Sequence, residues 1–467
     1  MNDEYRAFLT NRVQRGAMEG FEPLFMPDCL KDFQVYMTDW AIRKGRGAIF
    51  EDCGLGKSLQ ELVWAENVHR HTNRPVLILT PLAVTIQIMR EANKFGMDVH
   101  SALLGDVRPG VNVVNYERLH LFNAADFAGV VCDESSILKA FNGARKTQIT
   151  DFLKHIQYRL LATATAAPNE YTELGTSSEA LGYLPYFDML TRFFKNEQNN
   201  STHTRVFKDG SRVRADIDGT AKWRLKGHAE TPFWRWVCSW SRSLRKPSDL
   251  GFDDTGYILP PLIEEQQIVQ SRHLPEGMLF SLPAVGLAEQ RDERRRTIEE
   301  RCEVAADIAG ASNDPVIVWC HLNAEGDLLE RLIPGCIQIS GADEDHEKEA
   351  KFASFLDGNT RVLVTKARIG GWGMNFQHCA HQITFPTHSW ESYYQQVRRS
   401  YRFGQTRPVR VDIIATEGEK NILNNLQRKA CAATDMFDAL VRHMNEEVNI
   451  NRASVWFDNE ETMPSWL

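Results

Sequence analysis

Short β-branched apolar runs, each followed by a helix-like segment, recur in two separate blocks of the chain. This alternation restricts the fold more than any other feature. The first block holds "GAIF" (47–50), "PVLILT" (75–80), "VNVVNY" (111–116), "AGVVCDE" (128–134) and "RLLATAT" (159–165). The second holds "PVIVWC" (315–320), "CIQIS" (336–340), "RVLVTK" (361–366), "HQITF" (381–385) and "VRVDIIAT" (409–416). Continuous apolar strands alternating with helices imply parallel sheets covered on both faces. Two blocks imply two α/β lobes.

Between them, from roughly 175 to 314, the pattern breaks. Asp209-Gly210 stands between two strand-like runs, which is a hairpin signal. Residues 221–252 interleave aromatic and basic residues, among them Trp223, Trp234, Trp236, Trp240, Arg242 and Arg245. Stacking plus charge is how single-stranded nucleic acid is held. The alternative is that these tryptophans form the core of the insertion, and composition favours it.

At 467 residues, with 43% hydrophobic and 25% charged residues, the chain has the make-up of a globular protein of two or three domains. A net charge of -8 argues mildly against a small nucleic-acid-binding module and leaves room for a local basic groove. The nine cysteines include no C-x-x-C pair, so zinc-finger spacing is absent. Buried free thiols in a reducing compartment are expected. The N-terminal "MNDEYRAFLT" lacks the apolar core of a signal peptide, and no apolar run approaches membrane-spanning length.

Nucleotide chemistry is written into the first block. Gly54-Leu55-Gly56-Lys57-Ser58 follows a strand and opens a helix. Glycines let successive N–H groups point at one phosphate. Lys57 then reaches the β- and γ-phosphates, and the Ser58 hydroxyl meets Mg²⁺. Glu51 occupies the place of the first glycine of the usual pattern. Asp133 and Glu134 end a strand, where Asp133 suits Mg²⁺ through water and Glu134 suits a base for the attacking water. An amide such as that of Gln34 can read the adenine edge, with an ordinary surface glutamine on a helix as the default alternative. Thr163 and Thr165 are placed to link the Asp133-Glu134 turn to the second lobe.

In the second block, Gln395, Arg399 and Arg402 are spaced four and three apart. They share one helix face, while Tyr394, Val397 and Tyr401 fall on another and anchor the helix to its sheet. Arginines offered to a γ-phosphate stabilise the charge that builds in transfer. A basic face paired with carboxylates is the competing reading. Gly370, Gly371 and Gly373 free the backbone for a close approach, and a nucleic-acid phosphate near Thr365 and Lys366 is a plausible target.

Taken in order, these segments resemble the superfamily-two helicase-type ATPases of the DEAD/DEAH class, and their Swi/Snf branch in particular. "LKDFQ", "EDCGLGKSLQ", "LTPLAVTIQIMREANKFG", "VVNYERL", "CDESSILKAFNGARK", "TATAAPNEYTELG", "KARIGGWGMNFQ" and "SWESYYQQVRRSYRFGQ" carry the resemblance from Leu30 to about Glu417. It implies two tandem RecA-like parallel-sheet lobes with a helical and hairpin insertion. The implied division is a segment at 1–29, an ATP-binding lobe at 30–174, an insertion at 175–300, a second lobe at 301–417, and a C-terminal helix and tail at 418–467.

The resemblance also implies ATP and Mg²⁺ as cofactors and double-stranded DNA as partner. Gln34, Gly54, Leu55, Gly56, Lys57, Ser58, Asp133 and Gln395 would line the nucleotide, with Ser58 and Asp133 on Mg²⁺. Glu134, Lys57, Arg399 and Arg402 would act in catalysis, Arg402 nearest the γ-phosphate. Thr80, Pro81, Tyr116, Thr365, Lys366, Gly371 and Gly373 would meet nucleic acid, and Asn375 and Gln405 would be branch signatures. Ser135-Ser136 departs from the family, which has histidine there, and "TAT" replaces Gly-Thr-Pro. The wording of 162–183 and 223–237 looks like compact helicases of bacteriophages and prophages, implying the cytoplasm of a bacterial or phage-infected cell. A strand-separating helicase and a nucleotide-gated DNA-binding switch with little turnover are the alternatives to a translocase.

Overall fold

The computed structural model describes residues 18–139, 143–196, 204–206, 212–214, 223–272, 287–370 and 374–454. The first block folds into β1 (Arg46–Glu51), β2 (Val76–Thr80), β3 (Val99–Ser101), β4 (Val111–Asn115), β5 (Gly129–Asp133) and β6 (Tyr158–Thr163). Helix α1 (Asp32–Lys44) precedes β1, and α2 (Lys57–Thr72), α3 (Leu82–Lys94) and α4 (Ala144–Lys154) lie between the strands. Every residue of β2, β4, β5 and β6 is buried, as a sheet covered on both faces requires. Alternate residues feed opposite cores: Phe50, Leu79 and Cys132 face one, and Ile49, Ile78 and Val131 face the other.

The intervening chain adds α5 (Leu174–Leu181), α6 (Tyr186–Phe193), β7 (Phe194–Asn196), β8 (Thr204–Val206), β9 (Arg212–Arg214), β10 (Trp223–Leu225), α7 (Glu230–Cys238) and β11 (Ser241–Leu244). Strands β8 and β9 pair antiparallel, Val206 opposite Arg212, and the expected Asp209-Gly210 turn lies outside the described residues. The second block holds β12 (Leu262–Val269), α8 (Leu287–Arg296), α9 (Ile298–Ala311), β13 (Val316–Cys320), α10 (Asn323–Leu332), β14 (Ile337–Ile339) and α11 (Asp345–Leu356). It continues with β15 (Val362–Lys366), α12 (Ala367–Gly370), β16 (His381–Thr384), α13 (Trp390–Val397), β17 (Val409–Thr416) and α14 (Lys420–Ser454).

Two large sheets result, in the orders β11-β1-β6-β5-β2-β4-β3 and β12-β17-β16-β13-β15-β14. Neighbours in both are parallel throughout. The molecule is two tandem RecA-like α/β lobes. No helix among the described residues is long and apolar enough to cross a membrane.

The lobe boundaries differ from those expected. Strand β11 pairs with β1 and closes the edge of the first sheet. Trp234 and Trp240 are buried in that lobe's core beside Phe50, so they are packing residues and not a nucleic-acid platform. The second lobe begins at β12, which pairs along its whole length with β17, rather than at 301. Both strands escape the apolar pattern because they are edges: "SRSL" is short and polar, and "LIEEQQIV" leaves most of its side chains at least partly in water.

Helix α14 leaves the second lobe and crosses to the first. Met436, Phe437, Leu440 and Met444 enter the first lobe's core, each worth about 2 kcal/mol on full burial. Lys429 donates to Asn169 Oδ1 at 2.8 Å and to the His388 carbonyl at 2.9 Å, so one side chain touches both lobes. The tail beyond 454 lies outside the described residues, and the helix before it joins the two lobes.

Candidate nucleotide site between the lobes

Strand β1 ends at Glu51 and the chain turns through 52–56 into α2. Gly54 (φ +91°) and Gly56 (φ +86°) sit in the left-handed region. A Cβ on Gly56 would crowd the end of the Gln34 side chain, which would have to shift, and the left-handed φ would strain any side chain there. Gln34 donates to the Leu55 carbonyl at 2.7 Å and accepts from Lys31 N–H at 2.9 Å. Its amide therefore braces the loop and is spent on protein, where the sequence suggests an adenine contact. The Lys57 ammonium rests on the carbonyls of Glu51 (2.8 Å) and Asp52 (3.2 Å). Glu51 is fully buried, accepts from Gln60 at 2.8 Å, and is pushed up to about 7 by burial. Glu51 is thus an acid under the loop and not part of its phosphate-facing surface.

Across the sheet, β5 ends at Asp133. Thr80 Oγ1 donates to its carboxylate at 3.3 Å and the Tyr116 hydroxyl donates to its carbonyl at 2.6 Å. Burial, then the Glu134 charge, raises Asp133 to about 7, with Lys57 opposing. Glu134 has φ +50°, a conformation costing a non-glycine residue on the order of 1 kcal/mol, which aims its carboxylate across the cleft. There it accepts from Thr163 Oγ1 at 3.4 Å and from Gln395 Nε2 of the second lobe at 3.4 Å to each oxygen.

A third acid went unnoticed in the sequence. Glu61, one turn after Lys57, is fully buried with both carboxylate oxygens unpaired among the described residues. Burial first, and Asp133 second, hold it well above the ordinary carboxylate range. Crowded acids with raised protonation suit a cation. Among the described residues no three His, Cys, Asp or Glu side chains form a metal cage. A Mg²⁺ here fits only the sparse arrangement in which one or two protein groups, Ser58 and Asp133, share it with phosphate oxygens and water.

From the second lobe, α13 ends at Val397 and the arginines follow in hydrogen-bonded turns rather than within the helix. Tyr393 and Val397, four apart, form the stripe that packs on the lobe, with Tyr401 beside them. Tyr394, expected in that stripe, instead points out to the first lobe, because it lies about 100° around the helix from Tyr393. Arg399 donates to the Gln395 carbonyl at 3.1 Å, to the Met374 carbonyl at 3.4 Å and to Gln395 Oε1. Arg402 makes no side-chain hydrogen bond or ion pair among the described residues. Burial and the Arg399 charge lower its guanidinium, and Cys53 of the loop lies close enough to oppose that shift.

The seam carries further bonds that spacing did not reveal. Asp52 accepts from Arg398 Nε at 3.0 Å, from its Nη2 and from the Tyr394 hydroxyl. Lys139 pairs with Glu391, and Thr165 Oγ1 reaches the same carboxylate at 3.5 Å. The Phe403 ring covers Gly54 so closely that a Cβ there would lie 3.2 Å from it. Among the described residues the Ser136 hydroxyl makes one hydrogen bond, to the Glu134 carbonyl of its own lobe at 3.5 Å.

Several expected nucleic-acid contacts need correction. The side chains of Thr80, Tyr116 and Thr365 are buried and bonded to protein, Thr365 to the Ile339 carbonyl at 3.2 Å, so they offer nothing to a strand. Each closes the carboxyl end of a buried strand, where an unpaired hydroxyl would be costly. Pro81 is half-buried at the start of α3, and Lys366 donates to Asn323. Gly371 and Gly373 lie outside the described residues. Asn375 donates to Gln377 at 3.2 Å, and Gln405 donates to the Gln377 carbonyl at 2.8 Å, so both shape the turn below Arg402.

No family model matches the chain, and no curated protein matches it. Among solved structures, the SWI2/SNF2 ATPase core of Sulfolobus solfataricus in complex with dsDNA is similar. It is 16% identical, with a TM-score of 0.40, over 91% of this chain and 96% of that one.

Proposed function

We propose that this chain is an ATP hydrolase that couples turnover to movement along double-stranded DNA. The observation that carries the reading is the meeting of three groups at one seam. Lys57 stands on the loop after β1, Glu134 crosses the cleft from β5, and Arg402, unpaired among the described residues, immediately precedes Phe403, whose ring covers Gly54 of that loop. In this reading the ammonium of Lys57 leaves the Glu51 and Asp52 carbonyls for the phosphates of ATP. Gly54 and Gly56 leave the loop N–H groups clear for those oxygens.

Glu134, held between Thr163 and Gln395, orients the attacking water and takes its proton. Arg402 meets the charge that grows on the γ-phosphoryl oxygens. Ser58 and Asp133 would hold Mg²⁺, which would supply neutralisation of the phosphate charge. Because Gln395, Glu391 and Arg398 bridge to the first lobe, nucleotide turnover and lobe contact are one event. The order of the eight motifs supports a duplex-tracking motor as the use of that event.

ATP turnover measured with and without duplex DNA tests this. Turnover stimulated by duplex, with no strand released from a forked substrate, is expected. Absence of turnover under all conditions rules the motor out in favour of a binding switch, and strand release identifies a true helicase.

A further inference from the structure

Asp52 precedes the glycines of the loop, and nothing in the loop's phosphate chemistry requires its carboxylate. That carboxylate nevertheless takes a forked charged contact across the seam. Arg398 Nε lies 3.0 Å from Oδ1, Nη2 pairs with Oδ2, and the Tyr394 hydroxyl donates to Oδ1. Side-chain exposure is 5% for Arg398 and 13% for Asp52, so the pair is shielded from solvent screening. The guanidinium sits among the rings of Tyr394 (5.4 Å), Tyr401 (5.4 Å) and Phe403 (6.0 Å), which fix its direction. A further bond from Arg398 Nη1 to the Tyr401 carbonyl, at 3.0 Å, ties it to the turn that carries Arg402. Burial lowers the guanidinium to about 10, which leaves it charged at neutral pH.

Asp52 thus faces two ways. Its carboxylate meets the second lobe's arginine while Oδ1 also accepts from the loop's Cys53 N–H at 2.6 Å, and its main-chain carbonyl accepts from Lys57 at 3.2 Å. Arg398 and Arg402 are one turn of chain apart. Whatever fixes Arg398 on Asp52 therefore fixes where Arg402 stands over the loop.

We propose that Asp52, Arg398 and Tyr394 form an inter-lobe latch of positioning residues that sets Arg402 over the phosphate loop. This rests on the nucleotide-site reading above. The latch touches no phosphate, so its loss acts on turnover and not on nucleotide capture.

The test compares Arg398→Gln, Asp52→Asn, their double variant, Tyr394→Phe and Arg398→Lys for duplex-stimulated ATP turnover. For either of the first two, kcat is expected to fall roughly tenfold or more, the scale of breaking a buried charge pair, with KM for ATP within about twofold. The double variant is expected to be no worse than the poorer single one, because both remove the same contact. Arg398→Lys should restore part of kcat, since charge is kept and the fork is lost. Tyr394→Phe, which removes one hydroxyl and keeps the ring, should show a smaller loss of the same kind.

Losses that multiply in the double variant overturn the latch, as does a rise in KM at unchanged kcat, or unchanged kcat in both single variants. Lys57→Ala run in parallel separates the two claims. If it is inactive while the latch variants turn over normally, only the latch fails. If it hydrolyses ATP like the parent, the nucleotide site itself is misassigned. Small-angle scattering without nucleotide gives a readout independent of activity: Arg398→Gln should open the lobes, and an unchanged radius of gyration counts against the latch even where kcat falls.

Discussion

The two sides of the cleft are built on opposite plans. On the first lobe the residues around the loop rest on protein, with Lys57 on two carbonyls, Gln34 bracing Leu55 and Asp133 taking a bond from Thr80, and the group left unpaired behind them among the described residues is an acid, Glu61. On the second lobe Arg399 is bound by Gln395 and Arg398 by Asp52, yet Arg402 is left unpaired among the described residues. A loop that must release a lysine to a ligand can rest it on weak carbonyl acceptors. An arginine that must meet transient charge is kept half-buried and unneutralised, since a carboxylate partner would cancel its effect. The comparison separates groups that bind from groups that act later.

That contrast can be broken most strongly at Lys57. Lys57→Ala should abolish measurable ATP turnover and weaken nucleotide binding together; normal hydrolysis would remove the first lobe from the comparison. Glu134→Gln should lower kcat by a factor of about 10² or more while ATP still binds, the range of general-base removal. Loss of binding in an equilibrium titration would show that Glu134 holds the loop instead.

A smaller effect is expected at Arg402. Arg402→Ala should lower kcat about tenfold to a hundredfold with nucleotide affinity spared, and an equal fall in affinity would make Arg402 a binding group like Lys57. Gly56→Ala probes the loop's shape. The left-handed φ and the clash with Gln34 should cost about 1–3 kcal/mol in urea unfolding. Adding Gln34→Ala should recover the part due to the clash and leave the part due to φ.

The smallest effect concerns Glu51. Its value of about 7 in the folded protein lies above the ordinary carboxylate value. Between pH 5 and 7 the folded state therefore holds a proton that the unfolded chain has lost, and stability falls as pH rises through that window. Glu51→Gln should raise the melting temperature by ~2 °C at pH 8 and by less at pH 5. An equal gain at both values would locate the effect in packing.

How far the sequence carried depended on where each residue lies. All ten apolar runs became strands, because a strand buried on both faces must be continuously apolar. Edge strands β11 and β12 carry no such signal and read as part of the insertion, and the short edge strand β3 goes without an assignment. Lys57, Asp133 and Glu134 announce themselves by position after a strand. Arg398 does not, since it is one arginine among several and its partner lies 346 positions away. Glu61 reads as an ordinary helix glutamate, and only its burial beside Asp133 makes it unusual. Thr80, Tyr116 and Thr365 were expected on a strand-facing surface, whereas the geometry turned their hydroxyls inward.

The sequence by itself determined two parallel-sheet lobes, a glycine loop closed by Lys57-Ser58, an acidic strand end, and an arginine-rich segment in the second lobe. Those features follow from local rules: apolar continuity, the φ that only glycine reaches without strain, and the need for donors around phosphate. Only the tertiary structure decided which arginine is unpaired, that Gln34 serves the loop, and that Asp52 ties the loop to the opposite lobe. Each is settled by the approach of two surfaces far apart in the chain. The energy of a buried charge or hydrogen bond depends on what faces it, and the order of residues does not record that.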